Sequence, residues 1–250
     1  MAGPTRNIKL TIAYDGAAYH GFQWQTNAVS IQNVLEDRLA LIFGHAIRLV
    51  GSARTDTGVH AYGQVVNFKT SGSIPTDRIP LAARKVLPKD IIICAAEDVP
   101  DTFHARFDAK SKIYLYRIND SGDPHPWLRN YVWQLNHALD VNSMDEAAQA
   151  VIGTHDFSAF RSSGSSARDP VRTILSSACR RVGETIECEF HGTGFLYHMV
   201  RNLVGTLVEI GSASRQVSDM REILRGCRRE EAGHMAPPQG LYLLKVLYPE

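Results

Sequence analysis

The sequence predicts a mixed α+β fold with a largely antiparallel sheet, because strand-like and helix-like segments alternate along its 250 residues. Residues 8–14 alternate apolar and polar side chains, which is typical of a half-buried strand. Residues 196–210 instead space their apolar side chains as in a helix packed on a core. Residues 171–182 and 185–191 are predicted to be two long strands joined through a short Gly-Glu link.

The first third of the chain contains two strong element boundaries. The opening strand ends at the turn dipeptide Asp15-Gly16, and the following helix begins at Ser30, a good N-cap, and ends at Gly44. Strands are predicted at residues 47–50 and 63–68. The stretch between these strands is therefore a loop, where a rigid scaffold can present functional side chains.

The middle of the chain continues the alternation of elements. A second helix is predicted at about residues 76–86, and the continuous apolar run at residues 91–96 predicts a buried strand. Residues 112–118 alternate again, with Tyr114 and Tyr116 on one face. The other predicted elements are a Pro-rich turn at residues 123–126, a strand near residues 131–135 and a helix at about residues 143–152.

The helix predicted at residues 196–210 carries an arginine at the edge of its apolar stripe. Arg201 follows Val200 by one residue, about 100° round the helix. It is either an exposed helix charge or a group whose stem packs while its guanidinium reaches into a cleft. The remaining C-terminal features are a short helix with Arg221, Arg225 and Arg228 on one face and a closing strand marked by Leu241, Leu243 and Val246.

Composition limits the classes of protein to consider. The net charge of +1 does not by itself indicate nucleic-acid binding, although Arg161, Arg168 and Arg172 bracket a Ser/Gly-rich loop. These arginines are either RNA contacts or an ordinary solvated face. Neither a run of about 18 apolar residues nor a signal-peptide pattern occurs, so we expect a soluble cytoplasmic protein.

The cysteines and histidines do not have the spacing of metal ligands. The four cysteines include no C-x-x-C pair, and none has a histidine at zinc-finger spacing. We therefore expect buried free thiols at Cys94, Cys179, Cys188 and Cys227. The ten histidines are scattered singly, and we expect no metal.

The loop between the predicted strands contains Asp56-Thr57-Gly58, the tripeptide of aspartic proteases. A homodimer could supply the second carboxylate, but a positive charge at Arg54 would oppose a proton shared between two carboxylates. A second alternative is a plain β-turn, in which Gly58 needs a positive φ or a close approach. The loop is nevertheless dense in functional side chains: Arg54, Asp56, His60, Tyr62 and Gln64.

Residues 54–61, Arg-Thr-Asp-Thr-Gly-Val-His-Ala, followed by Gly-Gln-Val-Val at 63–66, resemble the active-site motif of the TruA family of tRNA pseudouridine synthases. Ala53 stands where the family usually has Gly, and Phe22 where Trp is common. The resemblance covers effectively the whole chain. The other matching blocks are Tyr14-Asp15-Gly16, Gly21-Phe22-Gln23, residues 103–107, Tyr114-x-Tyr116, Asp156-Phe157, Phe160-Arg161, residues 195–202 and Gly240-Leu241-Tyr242.

The resemblance implies a sheet built from two RRM-like (ferredoxin-like) halves, with helices on one face and a central active-site cleft. Residues 1–104 would carry the Asp loop, and residues 105–250 the Tyr strand and the Arg helix. The implied reaction cleaves the N1–C1′ bond of a uridine in RNA, turns the uracil and joins C1′ to C5. Because no atoms are gained or lost, the reaction needs neither cofactor nor metal.

By the same resemblance, Asp56 is the catalytic carboxylate, and Arg201 is the cation that offsets the cost of desolvating it. Tyr114 would lie against the flipped uracil, although it could also be one aromatic of a half-buried strand. Arg54 would contact the RNA backbone or fill the space that the uridine vacates. The remaining substrate-binding candidates in the matched blocks are His60 and Phe195.

The substrate that the resemblance implies is uridine at nucleotides 38 to 40 of the tRNA anticodon stem-loop, bound by a homodimer. Arg161, Arg168 and Arg172 are then candidates for phosphate contacts. One alternative is a non-catalytic RNA-binding or tRNA-chaperone protein of the same fold, and another is a synthase acting at another RNA position. The residues leave open whether Asp56 attacks C1′, adds to C6 or abstracts a proton.

Overall fold

The structure, a computed structural model, describes residues 5–164 and 167–249. Within these residues it contains ten strands and five α-helices, and the strand pairing is largely antiparallel, which confirms the predicted mixed fold. The chain divides into two compact units, Met1–Lys110 with Leu243–Glu250, and Ser111–Tyr242.

These bounds differ from the division between residues 104 and 105 expected from the sequence. The stretch up to Lys110 stays with the first unit because it is bonded to the C-terminal segment. The Tyr248 hydroxyl donates to the Ala105 carbonyl at 2.6 Å, and the Lys110 amide donates to the Leu247 carbonyl at 2.8 Å. The amino-acid pattern of either segment alone does not indicate this pairing across more than a hundred residues.

The first unit follows the β-α-β-β-α-β order of a ferredoxin-like half. Its elements are β1 (Arg6–Tyr14), α1 (Ile31–Phe43), β2 (Val50–Gly51), β3 (His60–Thr70), α2 (Ile79–Ala83) and β4 (Ile91–Val99). In the sheet, β1 lies between β4 and β3, and β2 pairs with the far side of β3. The β2–β3 loop lies against the segment between β1 and α1.

Helix α1 begins and ends at the predicted residues. The Ser30 side chain accepts a hydrogen bond from the Asn33 amide, and the Asn33 side chain bonds back to the Ser30 amide, forming a capping box. Gly44 ends the helix in the left-handed conformation, with φ at 72°. Both boundaries follow from local chemistry, which explains why the sequence predicts them.

Strand β2 is shorter than the predicted residues 47–50 because side chains of α1 form hydrogen bonds with the backbone that precedes it. The Leu49 amide donates to a Glu36 carboxylate oxygen at 2.9 Å, and the Leu49 carbonyl accepts from the Gln32 side chain at 3.1 Å. A backbone satisfied in this way needs no strand partner. The helix predicted at residues 76–86 is also shorter, a 3₁₀ turn at Thr76–Arg78 followed by α2.

The prediction that residues 91–96 form a fully buried strand is wrong. In β4, Ile91 and Ile93 are buried, whereas Ile92 is 46% exposed. The strand lies at the end of the sheet order, and one of its faces is open to solvent. Cys94 is exposed on that strand and Cys227 is only half-buried, so the expectation of buried thiols is wrong for these two. Cys179 and Cys188 are buried as expected.

The second unit contains β8, which at 12 residues is the longest of the described strands. Its elements are β5 (Ser111–Asn119), β6 (Trp133–Gln134), α3 (Val141–Gln149), β7 (Gly153–Asp156), β8 (Val171–Val182), β9 (Thr185–Gly192), α4 (Met199–Gly211) and α5 (Asp219–Gly226), and β10 (Leu241–Leu247) begins in this unit. Strand order is β5-β9-β8-β7, all antiparallel, while β6 runs parallel to β5. The predicted pair of long strands is therefore confirmed.

Two helices of this unit begin at other residues than predicted. Helix α3 begins at Val141 because the Asp140 carboxylate accepts from the Asn142 and Ser143 amides and caps the helix two residues earlier. Helix α4 begins at Met199, since His198 before it has a left-handed backbone, with φ at 61°. The spacing of apolar residues indicates neither the Asp140 cap nor the left-handed backbone of His198.

The apolar stripe predicted for helix α4 is confirmed as buried, but the other sides of the helix are buried as well. Arg201, Asn202 and Thr206 are buried together with its apolar residues. A Cβ at Gly205 would collide with the carbonyl of His234, which shows how closely the segment after α5 packs on this helix. Arg228 lies beyond the end of α5, past Cys227, and does not extend its arginine face.

Candidate active site

Asp56 lies on the loop between β2 and β3, and the backbone of this loop is hydrogen-bonded to the segment before α1. The Phe22 amide donates to the Thr55 carbonyl at 3.0 Å, and the Gly58 amide donates to the Tyr19 carbonyl at 3.3 Å. Gly58 has φ at 77°, as its place after Asp-Thr predicts. The peptide groups on both sides of Asp56 are therefore held by neighbours outside the loop.

The same segment is joined to the start of α1. The Ile31 amide donates to the Gly21 carbonyl at 3.1 Å, and the Gln32 amide donates to the Phe22 carbonyl at 2.9 Å. These are among the first amides of the helix, which lack partners inside it. The N-terminus of α1 thus anchors the segment on which the Asp56 loop rests.

Two glycines allow the loop and this segment to touch. A Cβ at Gly21 would lie 2.5 Å from the Thr55 carbonyl oxygen and 3.2 Å from the Asp56 carbonyl carbon. A Cβ at Gly16 would collide with the carbonyl of Val59. The Asp-Gly and Gly-Phe blocks noted in the sequence are therefore a steric requirement of the Asp56 loop.

Buried side chains support the loop from beneath. The Tyr14 and Thr55 hydroxyls lie 2.7 Å apart, and burial raises the pKa of Tyr14, against its hydrogen bonds with Thr55 and Gln64. The Gln64 side chain accepts from the Ser52 hydroxyl and donates to the Ala53 carbonyl, both at 2.7 Å. Because these groups are neutral hydrogen-bonding partners, they fix the loop without adding charge beside the carboxylate.

The predicted site residues of the first unit differ in exposure. Asp56 is partly exposed at the tip of the supported loop, and Arg54 is exposed. His60 is 2% exposed, and its Nδ1 lies 3.1 Å from the Gly16 amide nitrogen and 3.1 Å from an Asp15 carboxylate oxygen. His60 therefore fixes the turn that meets the loop.

In the second unit, β5 places Tyr114 beside Phe195. Tyr114 is 8% exposed, and the ring centroids lie 4.9 Å apart with the rings at 76° to one another. Such an edge-to-face contact is a favourable aromatic pair and limits the movement of both rings. Tyr116, on the same face of β5, is fully buried and donates to the Pro237 carbonyl at 2.7 Å.

Arg201 is 7% exposed near the start of α4 and is bound to the segment after α5 at two points. Its Nε–H donates to the Ala236 carbonyl at 2.7 Å, and the Ala236 amide donates to the Arg201 carbonyl at 3.1 Å. Burial raises the pKa of Tyr116 well above its ordinary value, while the positive charge of Arg201 opposes that rise. Arg201 is thus a buried cation with a fixed direction, and an exposed helix charge is excluded.

The three arginines of the Ser/Gly-rich loop also differ in exposure and in hydrogen bonding. Arg161 donates to the Ala167 carbonyl at 3.2 Å, and Arg172 donates to the Asp169 carbonyl at 3.0 Å, so both are tied to the loop itself. Arg168 is exposed. Residues 165 and 166 of this loop lie outside the described residues.

Sequence analysis missed two polar residues next to Arg201. Asn202 is fully buried, and Arg229 donates to its side-chain oxygen at 2.9 Å. In the sequence, Asn202 stands only within the matched block at residues 195–202, and no pattern assigns a role to Arg229. No local pattern indicates that residues 27 positions apart bond to each other.

Neither a metal centre nor a membrane span is found in the described parts of the chain. Over residues 5–164 and 167–249, no three His, Cys, Asp or Glu side chains are grouped so that they could hold a metal ion. Within the same ranges, no helix combines the length and the apolar character needed to cross a membrane.

A carboxylate on a rigid loop and a buried arginine, each in a mixed α+β unit, agree with the class of protein that comparison identifies. A family model described as tRNA pseudouridine synthase matches residues 10–108 and 147–249. The chain belongs to this family, whose members are isomerases that form pseudouridine in tRNA. The matched ranges include Asp56 and Arg201, whereas Tyr114 lies between them.

Individual relatives match over almost their full length. The tRNA pseudouridine synthase A of Thermoanaerobacter sp. strain X514 is 45% identical over 243 residues, covering 97% of this chain and 100% of the relative. The protein of the same name from Acetivibrio thermocellus is 46% identical over 243 residues, with the same coverage. That from Halalkalibacterium halodurans is 46% identical over 237 residues, covering 94% of this chain and 90% of the relative.

Proposed function

We propose that this synthase isomerises uridine at nucleotides 38 to 40 of the tRNA anticodon stem-loop and that Asp56 is its catalytic carboxylate. The observation that carries the proposal is the support of the Asp56 loop. Backbone bonds and two glycine contacts hold the loop on both sides of the carboxylate, yet Asp56 itself stays partly exposed. This is the arrangement expected of a group that must meet a substrate in a fixed geometry.

An ionised carboxylate in this position has the chemistry that the reaction needs. It can attack C1′ of the nucleoside, add to C6 of the uracil or remove a proton, and each route requires the anionic form. The uracil then turns and C1′ bonds to C5, so the proton on C5 is released to solvent. The proposal does not depend on which of these routes the enzyme follows.

We propose Arg201 as the cation that acts with Asp56. The pairing of the two residues follows from the family resemblance. The local geometry of Arg201 supports its proposed role as the cation of that pair. Its guanidinium is buried, and the bond from Nε to the Ala236 carbonyl fixes its plane. An ordered arginine stabilises an anion at a lower entropic cost than a mobile one.

The other proposed site residues act on the RNA. Flipping a uridine costs a few kcal/mol, and stacking against Tyr114, steadied by Phe195, offsets part of that cost. Arg54 is exposed and suited to the RNA backbone, and so is Arg168. Burial of His60 favours a positioning role through the Asp15-Gly16 turn over direct contact with substrate. The loop arginines proposed to contact phosphates are Arg161, Arg168 and Arg172.

The proposal includes a homodimer acting on tRNA in the cytoplasm. Each chain carries a net charge of only +1, which provides little overall attraction for RNA. Two chains that present arginine patches to one tRNA would add their local fields and so strengthen binding. Sedimentation of the protein with and without tRNA measures this stoichiometry.

The test uses tRNA that carries tritium at C5 of uridine. We expect the protein, without added metal or nucleotide, to release tritium and to leave pseudouridine at nucleotides 38 to 40. Asp56→Asn should abolish release while tRNA affinity is retained, because the change removes the charge and keeps the shape. The matched control is Asp77→Asn, the same substitution at an exposed carboxylate that pairs with its neighbour Arg78.

Three outcomes are informative. Full tritium release by Asp56→Asn would refute the assigned role. Release with pseudouridine at other nucleotides would keep Asp56 and refute the proposed position. Binding of tRNA by the unaltered protein without any release would instead favour the non-catalytic RNA-binding alternative.

A further inference from the structure

We infer that Asn202 and Arg229 are positioning residues that orient the guanidinium of Arg201; this inference rests on the proposed function of Arg201. Asn202 is buried and Arg229 is half-buried, and the side chains of both make directed hydrogen bonds. Their bonds join three separate segments of the second unit around Arg201.

Arg229 provides the first connection. Its Nη2 donates to the Asn202 side-chain oxygen at 2.9 Å, while its Nη1 donates to the carbonyls of Ala232 and Gly233 at 3.3 and 3.1 Å. One planar group thus ties the first turn of α4 to the segment that follows α5. A lysine cannot reproduce this geometry, because its ammonium is a single point of attachment.

Asn202 provides the second connection. While its oxygen accepts from Arg229, its amide nitrogen donates to the Phe160 carbonyl at 2.8 Å and to the Ser162 hydroxyl at 3.3 Å. These two acceptors flank Arg161, at the start of the loop that carries the proposed phosphate contacts. The buried amide therefore fixes the start of that loop relative to Arg201, its own neighbour in α4.

The segment that Arg229 holds is the one that directs Arg201. Gly233 is further anchored by its amide, which donates to the Thr206 hydroxyl at 2.9 Å. Three residues later, the Ala236 carbonyl accepts the Nε–H of Arg201 at 2.7 Å. If Arg229 is shortened, the carbonyl that sets the plane of the Arg201 guanidinium loses its support, although Arg201 itself is unchanged.

The main alternative is that Asn202 and Arg229 stabilise the fold and nothing more. If the two residues position Arg201, changing them should slow the chemical step only while Arg201 is present. If they only stabilise the fold, the rate should fall by the same factor whether or not Arg201 is present. A double-mutant cycle separates these two cases, because residues that act through one another have non-additive effects.

The experiment compares Arg229→Lys, Arg201→Lys and the double variant with the unaltered protein. For each we would measure the single-turnover rate of tritium release at saturating tRNA, the tRNA dissociation constant and the urea midpoint of unfolding. The matched control is Arg228→Lys, a change at the adjacent, exposed arginine that pairs with Glu231. Asn202→Ser, at the other end of the bond, is a second variant in case Arg229→Lys fails to fold.

We expect Arg229→Lys to lower the rate by about tenfold or more, as for a misplaced catalytic group, and to leave tRNA affinity nearly unchanged. The double variant should be no slower than Arg201→Lys, and Asn202→Ser should behave like Arg229→Lys. Arg228→Lys should retain the full rate. Losses that multiply in the double variant would overturn the inference, as would an unchanged rate in folded Arg229→Lys.

Failure of this inference is distinguishable from failure of the proposed function. If Asp56→Asn is inactive and Arg201→Lys is slow while Arg229→Lys is normal, the inference alone is overturned. If Arg201→Lys is normal, both the inference and the proposed role of Arg201 fail, and the role of Asp56 stands on its own test.

Discussion

Replacing Gly21 with alanine should displace the Asp56 loop without unfolding the protein. Gly21 has φ at 80°, and an alanine there would bring its Cβ to 2.5 Å from the Thr55 carbonyl oxygen. A relaxed contact between carbon and oxygen is about 3.3 Å or longer, so this carbonyl would have to move away by roughly 1 Å. The peptide that moves is the one preceding Asp56.

Two effects of this substitution have different magnitudes. The positive φ costs an alanine about 1 to 2 kcal/mol of folding free energy, which the protein tolerates. A displacement of about 1 Å at a catalytic group can lower the rate by about 100-fold. We therefore expect a small loss of stability and a large loss of activity.

The assay combines urea unfolding with single-turnover release of tritium from C5-labelled tRNA. Gly44→Ala is the matched control, because Gly44 also has a positive φ, at 72°, but its added Cβ would have no atom within 4 Å. Both variants should lose similar stability, and only Gly21→Ala should lose activity. Equal activity in the two folded variants would refute the idea that close contact with Gly21 sets the position of the Asp56 loop.

Two further predictions concern side-chain hydrogen bonds. Tyr14→Phe removes the hydroxyl that lies 2.7 Å from the Thr55 hydroxyl. We therefore expect the free energy of unfolding to fall by about 1 kcal/mol and the reaction to become slower. An unchanged reaction rate would contradict the proposed support of the Asp56 loop. In the second unit, Arg181 donates two hydrogen bonds of 2.8 Å to Asp120, and chiefly these bonds hold the pKa of Asp120 below its ordinary value. A carboxylate with a lowered folded pKa stabilises the fold above its unfolded pKa of about 4, and this stability is lost as the pH falls through the folded value. Arg181→Gln should therefore lower the free energy of unfolding, measured with urea, by about 2 kcal/mol at pH 7 and by less at pH 3. A loss of stability that is the same at both pH values would contradict the pairing.

The elements that the sequence predicted best are those whose boundaries depend on local chemistry. Helix α1 begins at Ser30 and ends at Gly44 because a hydroxyl cap and a left-handed glycine act within one turn. Strands β8 and β9 match prediction because alternation and a tight link are also local signals. The boundaries of α4 depend instead on His198, whose left-handed backbone no spacing of apolar residues indicates.

Burial was harder to predict than element type. Residues 91–96 are uniformly apolar, yet the side chains of β4 alternate between buried and exposed at Ile91, Ile92 and Ile93, which the apolar run does not indicate. Helix α4 has buried polar residues on sides that the apolar stripe left open, because other segments pack there. Burial depends on neighbours that lie far away in the sequence.

By itself the sequence determined the family, the alternation of elements and the residue types available for chemistry, since motif order and local periodicity are properties of the linear chain. The tertiary structure decided how these residues are held: Gly21 beneath the Asp56 loop, Ala236 against Arg201, and Asn202 bonded to Arg229. Each of these contacts joins segments that are distant in sequence. Their geometry depends on the packing of whole elements, which no local pattern of residues records.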